Sequence, residues 1–326
     1  MSLNPKVSIV IPTYNRAGYV KEAMQSVLNQ TFVDLELVIV DDTSTDQTTQ
    51  AVEGFKDKRI RYHRNSENIG ITKNWNKSVE LARGEYIVVF HDDDLMLPEN
   101  IARKTDILDK NTNVGMVCSS AQIIDGQGNI SGFWDVHRGV EKNNIIENGY
   151  LCFKKLFLGV NFICAPSVMA RKECFDRLGR FDVRLPFTSD WEMWMRICLF
   201  YDLAYIAEPL IKCRLHSTNV SNQYVGSGRE LEQEYKAKLS VLRKHAYKIA
   251  DYRIFKSQLR DIIAQIALNR AYRNYSNEIY PSARRYFIVG IKIQPALLRK
   301  KRAIIMAIKL ILGAGLWNLF KKLKTR

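Results

Sequence analysis

Three consecutive aspartates, Asp92-Asp93-Asp94, form the strongest chemical signal in the sequence. Adjacent carboxylates repel one another, and a partly buried cleft tolerates three of them only when a cation offsets their charge. Carboxylate oxygens are the ligands that Mg²⁺ and Mn²⁺ prefer, and these ions often share their shell with substrate phosphates. An acidic turn at a strand end is the alternative, because aspartate favours loops. A second acidic pair, Asp41-Asp42, ends a neighbouring predicted strand, and we therefore favour a divalent metal site.

An isolated carboxylate and a histidine follow later in the chain. Before an apolar helical stretch, either Ser189 or Asp190 fits a helix N-cap, and Asp190 also fits a general base that takes a proton from a substrate hydroxyl. The local sequence favours the cap. His216 follows a predicted strand over 210–215. A lone histidine is most often structural, but its neutral imidazole can also complete a metal shell begun by carboxylates.

The elements that must position these side chains are clearest in the first third of the chain. We predict strands over 7–11, 35–40, 59–63 and 86–90, with helices between them at about 20–28, 46–55 and 70–81. This order predicts a doubly wound, mostly parallel α/β sheet with right-handed crossovers. The clusters Thr13-Tyr14-Asn15, Asp41-Asp42 and the aspartate triplet each follow a strand. Open α/β sheets bind ligands at this carboxyl edge, which is therefore the predicted site.

The remainder of the chain predicts a less regular stretch and then a helical region. A helix after Pro98, strands over 114–124, 167–170 and 210–215, and a helix from about Trp191 are expected. Trp191 and Trp194 are predicted to belong to the core. Four further helices are predicted over 229–249, 252–274, 279–293 and 296–324. The chain would thus comprise a body over 1–228 and a helical region over 229–326.

Net charge divides the chain at the same point. The whole chain carries +15, from 49 Lys+Arg against 34 Asp+Glu. Residues 229–326 hold 23 basic and 6 acidic side chains, so the first 228 residues hold 26 basic and 28 acidic ones. Such a basic region indicates a polyanionic partner, either nucleic acid or an anionic membrane leaflet. We favour the membrane, because an acidic cleft in a near-neutral body would repel phosphate backbones.

Missing motifs exclude several other classes. The sequence has no G-x-x-x-x-G-K-[ST] phosphate loop, no G-x-G-x-x-G fingerprint, and no H-E-x-x-H or G-x-S-x-G motif. Its 6 cysteines include no C-x-x-C pair, which is typical of reduced thiols in a cytosolic protein. The first apolar run is short and ends at Pro12, so no N-terminal signal peptide is expected.

Seven motifs, taken in order, resemble those of the family 2 glycosyltransferases, which are inverting enzymes of the GT-A fold. The resemblance covers residues 5–222 and rests on the segments 7–16 (VSIVIPTYNR), 38–44 (VIVDDTS), 68–70 (NIG), 84–87 (GEYI), 92–98 (DDDLMLP), 189–192 (SDWE) and 214–216 (RLH). It implies a Rossmann-like, mostly parallel sheet flanked by helices, with a nucleotide-sugar half over 1–97, an acceptor half over 98–228 and a C-terminal α-helical region.

The resemblance also implies an activity. It is the metal-dependent transfer of a sugar from a nucleoside-diphosphate sugar, a UDP-sugar being expected, to a saccharide or lipid-linked saccharide in surface polysaccharide synthesis. Mn²⁺ or Mg²⁺ would be the cofactor. A nucleotidyltransferase, which also uses a Rossmann-like sheet and acidic metal ligands, is the main alternative, and it would release pyrophosphate instead of a nucleoside diphosphate. A nucleic-acid-binding protein is the alternative of another class.

Roles for individual residues follow from the resemblance by position. Asp190 would be the catalytic base, and His216 would help to bind the metal or the diphosphate. The acidic motif of the family commonly reads Asp-Ser-Asp-Asp, and His91 replaces its first acid, so Asp93 and Asp94 are both candidates for the main metal ligand. The nucleotide-sugar would contact Pro12, Thr13, Tyr14, Asp42 and Asp92. Asp42 would hydrogen-bond the base, and Asp92 would lie near the ribose.

The C-terminal region predicts a peripheral position at the inner face of the cell membrane. From Ile279 onward there are 12 Lys+Arg and no acidic residue. Basic clusters over 299–302 and 321–326 flank an apolar stretch that Lys309 interrupts, which disfavours a spanning helix. An interfacial helix with Trp317 and Phe320 at headgroup level accounts for this pattern. A final helix packed on the protein, with its basic face solvated, is the alternative.

Overall fold

The chain forms two compact units, Met1–Ser217 and Thr218–Arg326. The computed structural model describes residues 4–134 and 144–324, with side chains described as far as residue 313. The division lies between residues 217 and 218, whereas the sequence places a domain boundary after residue 228. The two halves expected within the first unit, over 1–97 and 98–228, stay a prediction.

Ten strands among the described residues form one mixed sheet in the first unit. They are β1 (Val7–Thr13), β2 (Leu35–Asp41), β3 (Ile60–Arg64), β4 (Tyr86–Val89), β5 (Leu95–Met96), β6 (Val114–Ile124), β7 (Ile130–Trp134), β8 (Ile145–Glu147), β9 (Met169–Arg171) and β10 (Asp202–Arg214). The strand order is β3-β2-β1-β4-β9-β6-β10-β5, with β7 paired to β6 and β8 paired to β10. The helices of this unit are α1 (Ala17–Leu28), α2 (Thr48–Glu53), α3 (Ile71–Leu81), α4 (Asn100–Lys110), α5 (Gly149–Leu158), α6 (Lys172–Leu178) and α7 (Ser189–Cys198).

The doubly wound part of the sheet agrees with the sequence prediction. β1 pairs in parallel with both β2 and β4, and β2 pairs in parallel with β3. Every residue of β1 and β2 is buried, as expected for strands covered on both faces. Helix α1 buries Val20, Ala23, Met24 and Val27, the face that its apolar spacing predicts. The carboxyl ends of β1, β2 and β4 consequently meet at one edge.

The second half of the sheet differs from the prediction at β9 and β10. β9 lies antiparallel between β4 and β6, and a 3₁₀ turn over Ala165–Ser167 occupies the start of the strand expected over 167–170. β10 is much longer than the strand expected over 210–215, because it pairs in parallel with β6 from Asp202 onward. Its register shifts on both sides of Pro209, which has no N–H to donate to the ladder.

Among its described residues, the second unit contains four α-helices, close to the four that the sequence predicts, and three short 3₁₀ helices. The α-helices are α8 (Arg229–Lys244), α9 (Tyr252–Ser276), α10 (Tyr280–Ile293) and α11 (Lys301–Lys324), and Gly313 interrupts α11 at a φ of 70°. Their shared core includes Ala267 from α9, Phe287 from α10 and Met306 from α11. Within the part of the chain that the structure describes, no helix is long and apolar enough to cross a bilayer. The side chains of Trp317, Phe320 and the basic cluster over 321–326 lie outside the described residues.

Candidate active site

The loops after β1, β2 and β4 meet, as the sequence predicts for this edge of the sheet. Thr13 Oγ1 donates a 2.7 Å hydrogen bond to Asp92 Oδ2, and Asp42 N donates a 2.9 Å bond to Thr13 O. Thr13 is almost fully buried, whereas the adjacent Tyr14 keeps 46% of its surface exposed. Pro12 is a buried residue of β1. Tyr14 is therefore more accessible to a ligand than Thr13 and Pro12.

The Asp42 carboxylate is engaged by the loop that leads into α3. Asp42 Oδ1 accepts hydrogen bonds from Asn65 Nδ2 at 2.8 Å and from Ile69 N at 2.9 Å, and Oδ2 accepts one from Gly70 N at 2.9 Å. Asp42 is 3% exposed. The residue thus shapes the loop that contains the Asn68-Ile69-Gly70 motif. A hydrogen bond to a nucleotide base, which stays a prediction, would use a lone pair that these three bonds leave.

The aspartate triplet forms a metal-competent cluster with a histidine that the sequence analysis named only as a departure from the family motif. One ligand atom from each of His91, Asp93 and Asp94 can be chosen so that all three lie within 4.8 Å of one another. His91 Nδ1 lies 3.6 Å from Asp94 Oδ2. Neither Asp94 Oδ2 nor His91 Nε2 makes a hydrogen bond to any described residue, although both atoms are buried. Buried polar atoms are normally satisfied, so Asp94 Oδ2, which lies within the cluster, is a candidate ligand atom.

The segment 214–216 at the end of β10 contacts the cluster through Arg214 and His216. His216 Nε2 lies 3.0 Å from Asp93 Oδ2, and the His216 ring stacks on Tyr19 of α1 at 4.9 Å between ring centroids. Arg214 N donates to Asp94 Oδ1 at 2.7 Å, and its Nε donates to the backbone carbonyl of Asp93 at 2.9 Å. The structure therefore brings His216 to the aspartates, as expected, and adds Arg214 as a residue that holds Asp93 and Asp94 in position.

Burial and the closeness of several carboxylates shift the pKa values in the cluster. Burial, together with the neighbouring Cys213 thiol and Asp93, raises the pKa of Asp94 well above its usual value. Burial and the charge of Asp93 raise the pKa of Asp92 to about 7. Burial also lowers the pKa of His91, which keeps its imidazole neutral and able to coordinate a metal. A bound divalent cation would favour the ionised carboxylates and reverse the upward shifts.

Asp190 is not the helix N-cap that the local sequence favoured. Thr188 is the N-cap of α7, and Asp190 is the second residue of the helix. Asn161 Nδ2 donates a 3.4 Å hydrogen bond to Asp190 Oδ2. Burial raises the pKa of Asp190 to about 6, although backbone N–H groups and Asn161 oppose the shift. A partly buried carboxylate with this pKa is mostly ionised at neutral pH and can still accept a proton, which suits a general base.

A chain of aromatic contacts connects the metal-competent cluster with α7. The His91 ring lies 5.4 Å from Trp75 of α3, and Trp75 lies 5.3 Å from Phe181. Phe181 in turn packs edge-on against Trp194 of α7 at 6.2 Å. Trp191 and Trp194 are each 3% exposed, which confirms their prediction as core residues. These contacts hold the helix of Asp190 against the part of the site that contains His91.

Sequence reasoning missed three of the residues that build this site. His91 directly precedes the triplet, and this position beside three carboxylates would have allowed its prediction as a metal ligand. Asn161 lies in an irregular loop, and Trp75 lies in α3. Neither carries a local signal, because their roles depend on contacts with residues that are distant in the chain.

Comparison with known proteins agrees with this geometry. The sequence model described as Glycosyl transferase family 2 matches residues 8–179. A glycosyltransferase of Methanocaldococcus jannaschii is 31% identical over 217 residues, which are 65% of this chain and 71% of that protein. The abequosyltransferase of Salmonella typhimurium is 30% identical over 253 residues, which are 72% of this chain and 74% of that protein.

Two solved structures share the fold at low sequence identity. The crystal structure of S. aureus TarS 1–349 in complex with UDP-GlcNAc matches with a TM-score of 0.62 and 19% identity, covering 94% of this chain and 89% of that one. The mannosyltransferase PcManGT of Pyrobaculum calidifontis, in complex with GDP-Man and Mn²⁺, matches with a TM-score of 0.54 and 17% identity, covering 95% and 88%. The mixed sheet flanked by helices is thus a GT-A fold, and the chain belongs to glycosyl transferase family 2 and is a glycosyltransferase.

Proposed function

We propose that this glycosyltransferase moves a sugar from a nucleoside-diphosphate sugar to a saccharide acceptor, with inversion at the anomeric carbon and Asp190 as the base. One observation carries the proposal. The same compact unit contains a metal-competent cluster of carboxylates and imidazole and, apart from it, the Asp190 carboxylate with a pKa of about 6. Trp75 and Phe181 connect the two. This is the division of labour that a single displacement requires.

A divalent cation fits the residues of the cluster. His91, Asp93 and Asp94 would hold it, with His216 beside Asp93, and the buried Asp94 Oδ2, which makes no hydrogen bond to a described residue, supplies a free ligand position. A mixed set of carboxylate oxygens and imidazole nitrogen suits Mn²⁺ and also accepts Mg²⁺. When bound, such an ion offsets the charge that develops on the departing diphosphate.

The chemical step needs no covalent intermediate on the enzyme. Asp190 takes the proton of the acceptor hydroxyl as the hydroxyl oxygen forms a bond to the anomeric carbon. The bond from that carbon to the diphosphate oxygen breaks, and its electron pair leaves with the nucleoside diphosphate. Because attack and departure lie in line on opposite faces of the sugar, the configuration inverts. General-base assistance of this kind contributes about 10²–10⁴-fold.

A UDP-sugar is the donor that we propose. TarS, which has been crystallised with UDP-GlcNAc and with UDP, matches this chain with a higher TM-score than the structure that holds GDP-Man. The nucleotide would enter beside Tyr14, with Asp92 toward the ribose and Asp42 toward the base. The acceptor would be a saccharide, free or linked to a lipid, of a surface polysaccharide.

A product assay tests the proposed reaction. The purified protein, incubated with UDP-sugars and Mn²⁺, is expected to release UDP slowly by transfer to water, and EDTA should stop the release. Free nucleoside diphosphate is measured against pyrophosphate by anion-exchange chromatography. Pyrophosphate as the product would instead support nucleotidyl transfer. No release from any of a broad set of UDP-, GDP- and dTDP-sugars would contradict the proposed donor class.

For the C-terminal unit we propose docking on an anionic membrane surface. Helix α11 buries Ala303 and Met306 completely, yet Ile304, Ile308 and Ile311 on its other face are 47%, 40% and 81% exposed. The neighbouring cluster over 299–302 is exposed as well. Lys309, which interrupts the apolar stretch, lies over the rings of Tyr272 and Tyr275 at 5.1 and 5.2 Å. An apolar stripe beside exposed cations is typical of an interfacial helix.

Substituting the exposed isoleucines tests this docking. Ile304→Gln, Ile308→Gln and Ile311→Gln together are expected to weaken binding to vesicles of phosphatidylglycerol and phosphatidylcholine by about 10²-fold. Each half-exposed side chain would lose roughly 1 kcal/mol of burial in the bilayer. Co-sedimentation at low salt measures the effect, and Val33→Gln, at a position 76% exposed in the first unit, is the control. If the unaltered protein ignores these vesicles, α11 is simply a packed helix.

A further inference from the structure

Trp134 is a solvent-accessible aromatic residue that hydrogen bonds hold in place. The proposed reaction assigns it no role. Trp134 ends β7, where Ala121 of β6 is its cross-strand partner. Ala121 is fully buried, and cross-strand partners share a face of the sheet, so the indole lies on the same face as Ala121. It nevertheless remains 37% exposed, whereas Trp191 and Trp194 are each 3% exposed. The ring therefore combines a buried cross-strand neighbour with an open surface that a ligand can contact.

The indole is hydrogen-bonded to the loop that also contacts Asp190. Trp134 Nε1 donates a 2.9 Å hydrogen bond to the backbone carbonyl of Phe162, and Ser120 Oγ donates a 3.0 Å bond to Trp134 O. The residue before Phe162 is Asn161, whose amide contacts the Asp190 carboxylate. Two consecutive residues of one loop thus hold the aromatic ring and the base. A ring whose polar atom is already bonded presents only its apolar surface to a ligand.

We propose that the Trp134 indole is the acceptor subsite, against which the apolar C–H face of a pyranose packs so that a hydroxyl of the same sugar reaches Asp190. This proposal rests on the proposed function, because it takes Asp190 as the base. The C–H groups of a pyranose face carry small positive charge, and the face of an aromatic ring is negative, so the two attract. Few polar groups are needed for affinity, while the hydroxyls around the sugar rim remain free for orientation.

Saturation-transfer difference NMR on the full-length protein tests the subsite with defined probes. The probes are methyl glucoside, galactoside, mannoside and rhamnoside, each measured at millimolar concentration with UDP and Mn²⁺ present. At least one glycoside is expected to show saturation of its C–H protons. Trp134→Ala should weaken that binding by about 10-fold, and Trp134→Phe should retain most of it, since the phenyl ring keeps the stacking surface.

Two controls separate stacking from a structural role. Trp134→Phe loses the bond to the Phe162 carbonyl just as Trp134→Ala does, so an effect of anchoring alone would weaken both variants equally. Phe133, the next residue, is 61% exposed on the opposite face of β7, and Phe133→Ala should leave the saccharide signal unchanged. The subsite is wrong if Trp134→Ala gives the same glycoside signal as the unaltered protein, or if the unaltered protein binds UDP but gives no glycoside signal. If the unaltered protein does not bind UDP, the proposed function is contradicted. A glycoside signal that depends on Trp134 would support the subsite even then.

Discussion

Asp190→Asn is expected to lower the turnover number by at least about 10²-fold while the affinity for UDP stays unchanged. Asparagine has the same shape and can still accept the hydrogen bond from Asn161, but it cannot take a proton from the acceptor. The dissociation constant for UDP comes from calorimetry with Mn²⁺ present. The turnover number comes from UDP release from the donor, since water also needs a base when it attacks.

The stability of this variant distinguishes a chemical role from a structural one. A carboxyl whose pKa is raised by burial becomes costly to ionise in the folded state, so the neutral amide should leave the melting temperature at pH 7.5 unchanged or slightly raised. Asp176→Asn, at an exposed position paired with Lys172, is the matched control and should keep the full rate. Wild-type turnover in Asp190→Asn would remove this residue from the mechanism.

The pH profile provides a second measurement on the same residue. The base works only when it is ionised, and the pKa of Asp190 is raised to about 6. The rate of the unaltered protein divided by the rate of Asp190→Asn should therefore rise about tenfold per pH unit below pH 6 and level off above pH 7. Taking this ratio removes the contributions of other groups, including Asp92, whose pKa is raised to about 7. A ratio that does not change with pH would contradict the assignment.

Asp94→Asn is expected to reduce turnover by at least about 10²-fold and to abolish most of the dependence of turnover on Mn²⁺. Its amide oxygen can still accept the hydrogen bond from Arg214 N, so the loop geometry is kept. The amide nitrogen, however, replaces the carboxylate oxygen that lies 3.6 Å from His91 Nδ1 and that makes no hydrogen bond to the described residues. Titration calorimetry with Mn²⁺ alone measures the loss of affinity, and UDP release with Mn²⁺ measures the loss of rate.

Stability without metal should change in the opposite direction. The folded-state pKa of Asp94 is raised above its unfolded value, so the unfolded state loses the proton first and the folded state is destabilised as pH rises between the two values. In EDTA at pH 7.5, Asp94→Asn should consequently unfold at a higher temperature than the unaltered protein. Mn²⁺ should stabilise the unaltered protein and leave the variant unaffected. Asp106→Asn, an exposed carboxylate paired with Lys110, is the control. A variant that still binds Mn²⁺ normally would contradict the assignment.

Local pattern accounts for most of the elements found in the structure. The parallel strands β1, β2 and β4 are short runs rich in buried residues, and α1 repeats its apolar residues at helical spacing, so both can be read within a single element. The first half of β10 was missed for a different reason. Its strand conformation depends on pairing with β6, which a local window does not contain.

The candidate site divides along the same line. By itself, the sequence determined the residue types that do chemistry and the sheet edge at which Thr13, Asp42 and the aspartate triplet meet, because parallel strands in this order bring their carboxyl ends together. Only the tertiary structure decided that Asp42 is engaged by Ile69 and Gly70, that His91 joins the metal-competent cluster, and that Asp190 lies within α7 rather than capping it. These outcomes depend on burial and on contacts between residues far apart in the chain, and burial also raises the pKa of Asp190 to about 6.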